Sequence, residues 1–134
     1  MRKLKSKQGF TLIEVVVVMA IIAVLAVLVI GAITVARNTQ KETVHRSNAR
    51  TVQTQLEAWY AKNRSYPATS GTVDLNAAMT SMGQSTFSNA SECTGTGGKP
   101  GGGTVAYSTT GYTITPYDSG CTNPLGSSDV LSNQ

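Results

Sequence analysis

The sequence predicts an α+β protein in which a long N-terminal helix packs against a small antiparallel β-sheet domain with one disulfide. Three observations carry the prediction: an apolar run near the N-terminus, a helical pattern that continues it without Pro or Gly, and a polar second half with alternating segments and two cysteines. A length of 134 residues allows one folded domain and excludes a multi-domain enzyme.

The apolar run covers residues 15–33 and has no polar side chain. As a helix its 19 residues would measure about 28 Å, close to the hydrocarbon thickness of about 30 Å. Thirteen of them are Val, Ile or Leu, which favour membrane insertion by roughly 4–8 kcal/mol. Glu14 lies at the edge of the run, where a charge costs less than at the bilayer centre. The run is also longer than the apolar region of a secretory signal peptide, so we expect a retained transmembrane helix.

The positive charge is confined to the N-terminus. Four of the eleven basic residues lie in the first nine positions, namely Arg2, Lys3, Lys5 and Lys7. The rest of the chain has seven basic and seven acidic residues and gives no reason to expect nucleic-acid binding. Basic flanks stay in the cytoplasm, so we expect the N-terminus inside and the C-terminal domain outside.

Residues 36–63 continue the helix with an amphipathic pattern. At 100° per residue one face is mainly apolar, made by Val44, Ala49, Val52, Leu56, Trp59 and Tyr60, and the opposite face holds Arg46, Arg50, Gln53, Glu57 and Arg64. Acids interleave with these basic residues, which favours a solvated face over a nucleic-acid stripe. His45, the only histidine, lies near the apolar face and is expected to be packed or at its rim, because no second metal ligand is evident.

The C-terminal half is expected to be a small domain. Residues 74–82 predict a short helix, and residues 104–108 and 112–117 predict a β-hairpin around Thr109-Thr110-Gly111. Cys93 and Cys121 bracket this hairpin. An even cysteine pair outside the membrane predicts one disulfide, which a domain with so small a core needs.

No enzyme chemistry can be assembled from the sequence. Glycine-rich residues 95–103 do not match a phosphate loop, because Lys99 precedes Pro100 and no strand leads in. Two glycosylation sequons, Asn63-Arg64-Ser65 and Asn89-Ala90-Ser91, are weak signals without a known host. We find no catalytic triad, paired carboxylates or metal cluster, and expect no enzyme activity, cofactor or metal.

The junction Lys7-Gln8-Gly9-Phe10-Thr11-Leu12-Ile13-Glu14, followed by the apolar run, resembles the prepilin signature of type IV pilins and pseudopilins. The resemblance implies that a dedicated membrane peptidase cuts between Gly9 and Phe10, and that Phe10 is then N-methylated. It also implies that Glu14 pairs with the Phe10 amine of a neighbouring subunit during filament assembly. The alternative for Glu14 is a helix-capping carboxylate at headgroup level.

Residues 56–67 resemble the helix exit of the same family, where an aromatic pair precedes a polar turn and Tyr66-Pro67. In pilins a disulfide often bounds the variable C-terminal loop, and Cys93 and Cys121 resemble that pair. Many relatives have a Pro in the second half of the membrane helix, whereas this chain has Gly31. The implied domains are a cleaved leader at 1–9, a transmembrane and filament-core helix at 10–36, its amphipathic extension at 37–65, and a β domain at 66–134.

The resemblance implies a structural subunit of a type IV pilus. Its expected partners are further copies of itself, the prepilin peptidase, the assembly platform with its ATPase, and the membrane. It would be a single-pass protein of the cell membrane before assembly and part of an extracellular filament afterwards. Two alternatives stay open: a pseudopilin of a type II secretion system, and a membrane-anchored adhesion domain that never polymerises. Major pseudopilins usually lack this disulfide and carry acidic calcium-binding residues near the C-terminus, where this chain has Asp118 and Asp129.

Overall fold

A computed structural model describes residues 9–67, 71–88, 93, 99–108 and 110–133. In chain order the elements are α1 (Leu12–Asn63), β1 (Gly71–Asp74), α2 (Leu75–Ser81), β2 (Gly103–Tyr107), β3 (Tyr112–Pro116), a 3₁₀ turn (Ser127–Asp129) and β4 (Leu131–Asn133). The fold is α+β, with a long N-terminal apolar helix, a small antiparallel sheet and one disulfide, as the sequence predicts. The basic leader up to Gln8, the sequon at Asn89 and residues 94–98 of the glycine-rich segment lie outside the described residues.

The chain forms two units, whose boundary falls within α1 between Arg37 and Asn38. In the first unit every described residue is exposed, including all the large apolar side chains of α1. By length and composition α1 can cross a membrane, and none of its apolar window is buried. A helix that is apolar on all sides is stable when lipid or other helices cover it.

The second unit contains a four-stranded sheet in the order β1-β2-β3-β4, with every neighbouring pair antiparallel. The predicted hairpin is confirmed: β2 pairs with β3 in a register that places Val105 opposite Ile114 and Tyr107 opposite Tyr112. Its turn is closed by hydrogen bonds between Ser108 and Gly111. β3 alternates between buried and half-buried side chains, as in a sheet covered on one side, whereas every residue of β2 except Ala106 is buried.

The predicted short helix is also confirmed. α2 begins directly after Asp74, whose Oδ1 accepts a hydrogen bond from the Ala77 N–H at 2.8 Å. This N-cap satisfies one of the free N–H groups of the first turn. Leu75, Ala78 and Met79 on α2 are buried, so the helix supplies one wall of the core.

One core joins the C-terminal half of α1, α2 and the sheet. Its fully enclosed members include Val52 and Leu56 of α1, Leu75 of α2, Val105 of β2 and Ile114 of β3. Ala49, Val52 and Leu56 were predicted to be on the packed face and are buried. Trp59, predicted for the same face, is partly buried against the core.

Two members of the predicted apolar face are not in the core: Val44 is 36% and Tyr60 is 40% exposed. His45 and Asn48 are buried instead. Each donates a hydrogen bond to a backbone carbonyl, His45 Nδ1 to Tyr117 at 2.8 Å and Asn48 Nδ2 to Gly101 at 2.9 Å. Satisfied polar groups can replace apolar ones in an interior, which hydrophobic periodicity does not detect.

The face predicted to be solvated is exposed or partly exposed, and Arg46 on it also makes a contact that was not predicted. Its guanidinium binds Asp129 through Nε to Oδ1 at 2.9 Å and Nη2 to Oδ2 at 3.2 Å. This two-bond arrangement ties the 3₁₀ turn to α1. Glu57 of the same face accepts a hydrogen bond from the Tyr112 hydroxyl at 3.2 Å, so this face also contributes contacts to the C-terminal domain.

α1 ends at Asn63, and Tyr66 and Pro67 lie beyond it as predicted. Arg64 adopts a left-handed φ of 58° and donates its N–H to the Tyr60 carbonyl at 2.8 Å, which closes the helix end. The Tyr66 ring then stacks on Tyr60 at 4.9 Å and meets Tyr112 edge-on at 5.4 Å. The aromatic residues of the helix exit therefore connect α1 to β3.

Candidate functional site

The first candidate site is the junction at which α1 begins. Gly9, Phe10 and Thr11 precede the helix and are exposed, and Phe10 is 89% exposed. The bond between Gly9 and Phe10 therefore lies in non-helical backbone, the state in which proteases accept a chain. A Cβ at Gly9 would meet no atom within 4 Å, and Gly9 has no positive φ. Nothing in the described chain requires glycine at this position.

Thr11 and Glu14 form a capping box at the start of α1. One carboxylate oxygen, Glu14 Oε2, accepts hydrogen bonds from the Thr11 N–H and the Thr11 Oγ1, both at 2.8 Å. The Glu14 N–H donates to Thr11 Oγ1 at 3.4 Å. This reciprocal pattern satisfies free N–H groups of the first turn and holds the carboxylate at the positive end of the helix dipole.

The role of Thr11 was missed in the sequence analysis, although the signal was present. The spacing Thr-x-x-Glu immediately before an apolar run is the usual sequence pattern of a capping box. Both hydrogen bonds from Thr11 use Oε2, and Glu14 Oε1 accepts none from the described residues. Glu14 can therefore cap its own helix and still offer Oε1 to a cation.

The second candidate region is the disulfide in the second unit. Cys93 and Cys121 are bonded, are 28 positions apart and have Cα atoms separated by 5.7 Å. Their exposed fractions are 3% and 5%, and they bracket the β2–β3 hairpin as predicted. His45 lies beside them, with Nε2 at 3.8 Å from Cys93 Sγ.

Both acidic residues near the C-terminus are already engaged by donors. Asp129 is bound by Arg46. Asp118 accepts backbone N–H groups from Thr122 at 3.0 Å and Asn123 at 3.3 Å, and its Oδ2 accepts the Asn123 amide at 3.1 Å. Desolvation is the largest single influence and raises the pKa of Asp118, but the hydrogen bonds to the charged form together outweigh it and hold the pKa below its usual value. The two carboxylates stabilise the C-terminal loops.

A half-open groove of about 280 Å³ lies between the end of α1 and the end of α2. Its lining combines amides, one amine and apolar side chains: Gln55, Ala58, Trp59, Lys62, Asn63, Met82 and Gln84. Among these lining residues there is no acid–base pair or activated nucleophile of the kind that catalysis uses.

The comparisons with known proteins concern the N-terminus. The family model described as the prokaryotic N-terminal methylation motif matches residues 4–30. The match covers the junction, the capping box and most of the apolar run. No curated protein and no solved structure matches the chain significantly. The matched segment begins among the basic N-terminal residues and ends within the first unit.

Proposed function

We propose that the chain is a type IV pilin-like or pseudopilin precursor, because the motif at residues 4–30 is the hallmark of these prepilins. From this premise we propose that it forms filaments. Within that class we propose a structural, non-catalytic subunit of a type IV pilus. One observation carries the proposal: the methylation motif leads into the first part of α1, residues 12–37, where every side chain is exposed and most are apolar. Such a surface fits a subunit that is stored in lipid and later packed among identical helices.

Processing would begin at the Gly9–Phe10 bond. The backbone there is exposed and non-helical, and Gly9 serves no purpose in the described fold. A glycine that the chain itself does not need fits a requirement of the peptidase, whose active site would admit a backbone without side-chain bulk. Cleavage would leave the Phe10 amine at the N-terminus, where it would be methylated and remain a cation.

Assembly would then use the free oxygen of Glu14. Oε2 is occupied by Thr11, whereas Oε1 is available to the Phe10 amine of a neighbouring subunit. Between packed helices the low dielectric would strengthen this attraction relative to water. The pairing would set the axial position of each subunit. The assembly platform and its ATPase would supply the work of extracting the helix from the membrane.

Membrane orientation follows from the leader. Its basic residues would stay in the cytoplasm, which places the second unit outside. The Cys93–Cys121 disulfide fits an oxidising exterior compartment. A pseudopilin shares the N-terminal motif, but the disulfide and the donor-bound Asp118 and Asp129 favour the pilus subunit.

Mass spectrometry and electron microscopy together test the proposal. In a host with the complete pilus machinery, we expect a mature chain that begins at Phe10 with one added methyl group. Immunogold labelling should decorate long surface filaments. A chain that keeps its first nine residues despite an active peptidase would contradict the processing step. Correct processing with only short periplasmic assemblies would support the pseudopilin instead.

A further inference from the structure

We propose that the chain with reduced cysteines binds one Zn²⁺ ion through His45 Nε2, Cys93 Sγ and Cys121 Sγ, and that this metal-bound state precedes the disulfide. The three ligand atoms all lie within 4.8 Å of one another and all three residues are buried. No other group of three His, Cys, Asp or Glu residues among the described positions is as close. The inference concerns the second unit alone and does not depend on filament assembly.

The separation of His45 Nε2 from Cys93 Sγ matches that of a tetrahedral zinc site, whereas the two sulfurs, which are bonded in this structure, would have to separate on reduction. Bonds of about 2.0–2.1 Å to nitrogen and about 2.3 Å to sulfur place the two ligands about 3.6 Å apart at the tetrahedral angle. The observed separation of His45 Nε2 and Cys93 Sγ is 3.8 Å. Two zinc-bound sulfurs would be about 3.8 Å apart, and cysteines whose Cα atoms are 5.7 Å apart can reach this separation by side-chain rotation.

The orientation of the imidazole is already that of a metal ligand. The Tyr117 carbonyl can only accept, so the 2.8 Å contact requires a proton on His45 Nδ1. In the neutral ring the lone pair is then on Nε2, the atom that faces the sulfur. Zinc-binding histidines usually donate their other N–H to a backbone carbonyl or carboxylate in this way, which fixes the tautomer.

The backbone around His45 keeps the ring in place. Gly102 has a positive φ of 81°, and a Cβ at this position would overlap the imidazole ring. The Gly102 carbonyl accepts the Tyr117 N–H at 2.8 Å. Gly102 therefore leaves space for the His45 ring and also positions Tyr117, whose carbonyl orients that ring. None of these contacts is made by either cysteine.

The donor set selects the metal. Two thiolates and one imidazole favour Zn²⁺ over Mg²⁺ and Ca²⁺, which bind oxygen ligands. The ligand residues are 1%, 3% and 5% exposed, so the ion would be enclosed. With three protein ligands the fourth tetrahedral position would belong to a water molecule.

The proposal has two chemical steps, metal binding and then oxidation. Binding converts two thiols into two thiolates bound to Zn²⁺, with two protons released to solvent. Oxidation by a disulfide-bearing oxidoreductase then forms the Cys93–Cys121 bond, reduces the oxidant's disulfide to two thiols with two protons, and releases Zn²⁺. The metal would protect the thiols and close the loop before oxidation, and the disulfide would replace it afterwards.

The test uses the full chain in detergent micelles, reduced under anaerobic conditions and titrated with Zn²⁺ and, as a spectroscopic probe, Co²⁺. We expect one equivalent to bind with release of about two protons at neutral pH, and Co²⁺ to show thiolate charge-transfer absorption. The oxidised chain is the matched control and should bind at least about 100-fold more weakly. Equal binding by the reduced and oxidised chains would overturn the proposal.

Two further measurements assign the ligands. Cys93→Ser and His45→Gln should each weaken binding by at least about 10–100-fold. If His45→Gln fails to fold, X-ray absorption of the zinc-bound parent chain still reports the first shell, with two sulfurs and one imidazole expected. A shell with sulfur and oxygen but no imidazole would contradict the role of His45. An unchanged affinity in a folded His45→Gln variant would do the same.

Discussion

At the scale of single residues, the same side chain can serve both local structure and proposed function. Glu14 was predicted from the sequence as an assembly charge, with a helix cap as its alternative. The structure shows the cap, built with Thr11, and leaves one carboxylate oxygen for a partner. The two roles are therefore compatible. His45 likewise packs in the interior as expected, yet its contact with the Tyr117 carbonyl joins positions 72 apart, which no local pattern in the sequence reveals.

The raised pKa of the Tyr112 hydroxyl predicts how the stability of the second unit depends on pH. Its burial, followed by the nearby Glu57 carboxylate and the hydrogen bond to it, raises the pKa of the Tyr112 hydroxyl. The unfolded chain loses this proton near pH 10, whereas the folded chain keeps it. The contribution of the Tyr112 hydroxyl to the free energy of unfolding is therefore complete below pH 10 and decreases as the pH rises above that value. We expect the urea midpoint of the full chain in detergent to fall between pH 9 and about pH 11.

The Tyr112→Phe variant should show a smaller fall over the same pH interval, because it lacks the titrating group. Tyr60→Phe is the matched control, since Tyr60 belongs to the same aromatic cluster but is 40% exposed. Its pH dependence should equal that of the parent. An identical pH dependence in Tyr112→Phe and the parent would show that this hydroxyl does not couple to folding.

At the scale of elements, predictability followed the strength of local signals. α1, α2 and the β2–β3 hairpin were all predicted, because each has a clear period or turn and α2 has an N-cap residue. β1 and β4 were not predicted. They contain four and three residues, Gly71–Asp74 and Leu131–Asn133, too few for alternation to be recognised. Both are edge strands whose positions depend on pairing with β2 and β3.

The N-cap of α2 gives a test at this scale. Asp74→Ala removes the acceptor for the Ala77 N–H and should lower the free energy of unfolding by about 1 kcal/mol. Asp74→Asn keeps a capping oxygen and is the matched control, with a change of only a few tenths of a kcal/mol expected. Urea unfolding followed by far-ultraviolet circular dichroism measures both. Equal losses in the two variants would show that the charge, and not the cap, determines the effect.

At the scale of the whole molecule, the two units depend on different sources of stability. The first has an uncovered apolar surface and fits a lipid or helical environment. The second has a small core and one cross-link between Cys93 and Cys121. Composition and cysteine count were enough to predict a long apolar N-terminal helix and a small β domain with one disulfide. The bidentate contact of Arg46 with Asp129 was not predictable, because it depends on where the C-terminal segment returns to α1.

The disulfide should stabilise the second unit without affecting membrane residence. A closed loop of 28 residues contributes up to about 3.5 kcal/mol through loop-closure entropy. We expect the Cys93→Ser, Cys121→Ser double variant to unfold at lower urea concentration and to be digested faster by an external protease. Its amount in the membrane fraction should match the parent. Labelling of the exported parent protein with a thiol reagent should find no reactive cysteine, and stoichiometric labelling would contradict a stable disulfide.

The central claim is that Glu14 serves filament assembly through its charge and not only through its cap. The most direct test compares sheared-filament yield with membrane content for the parent, Glu14→Val and Glu14→Gln in a host with the complete machinery. Gln keeps the capping-box pattern without the charge, while Val removes both. We expect normal leader cleavage and membrane levels in all three, filaments from the parent, and a sharp loss of filaments in both variants. Filament yield equal to the parent in Glu14→Gln would contradict the charge-pairing account, and failure of the parent itself to form filaments would contradict the filament function.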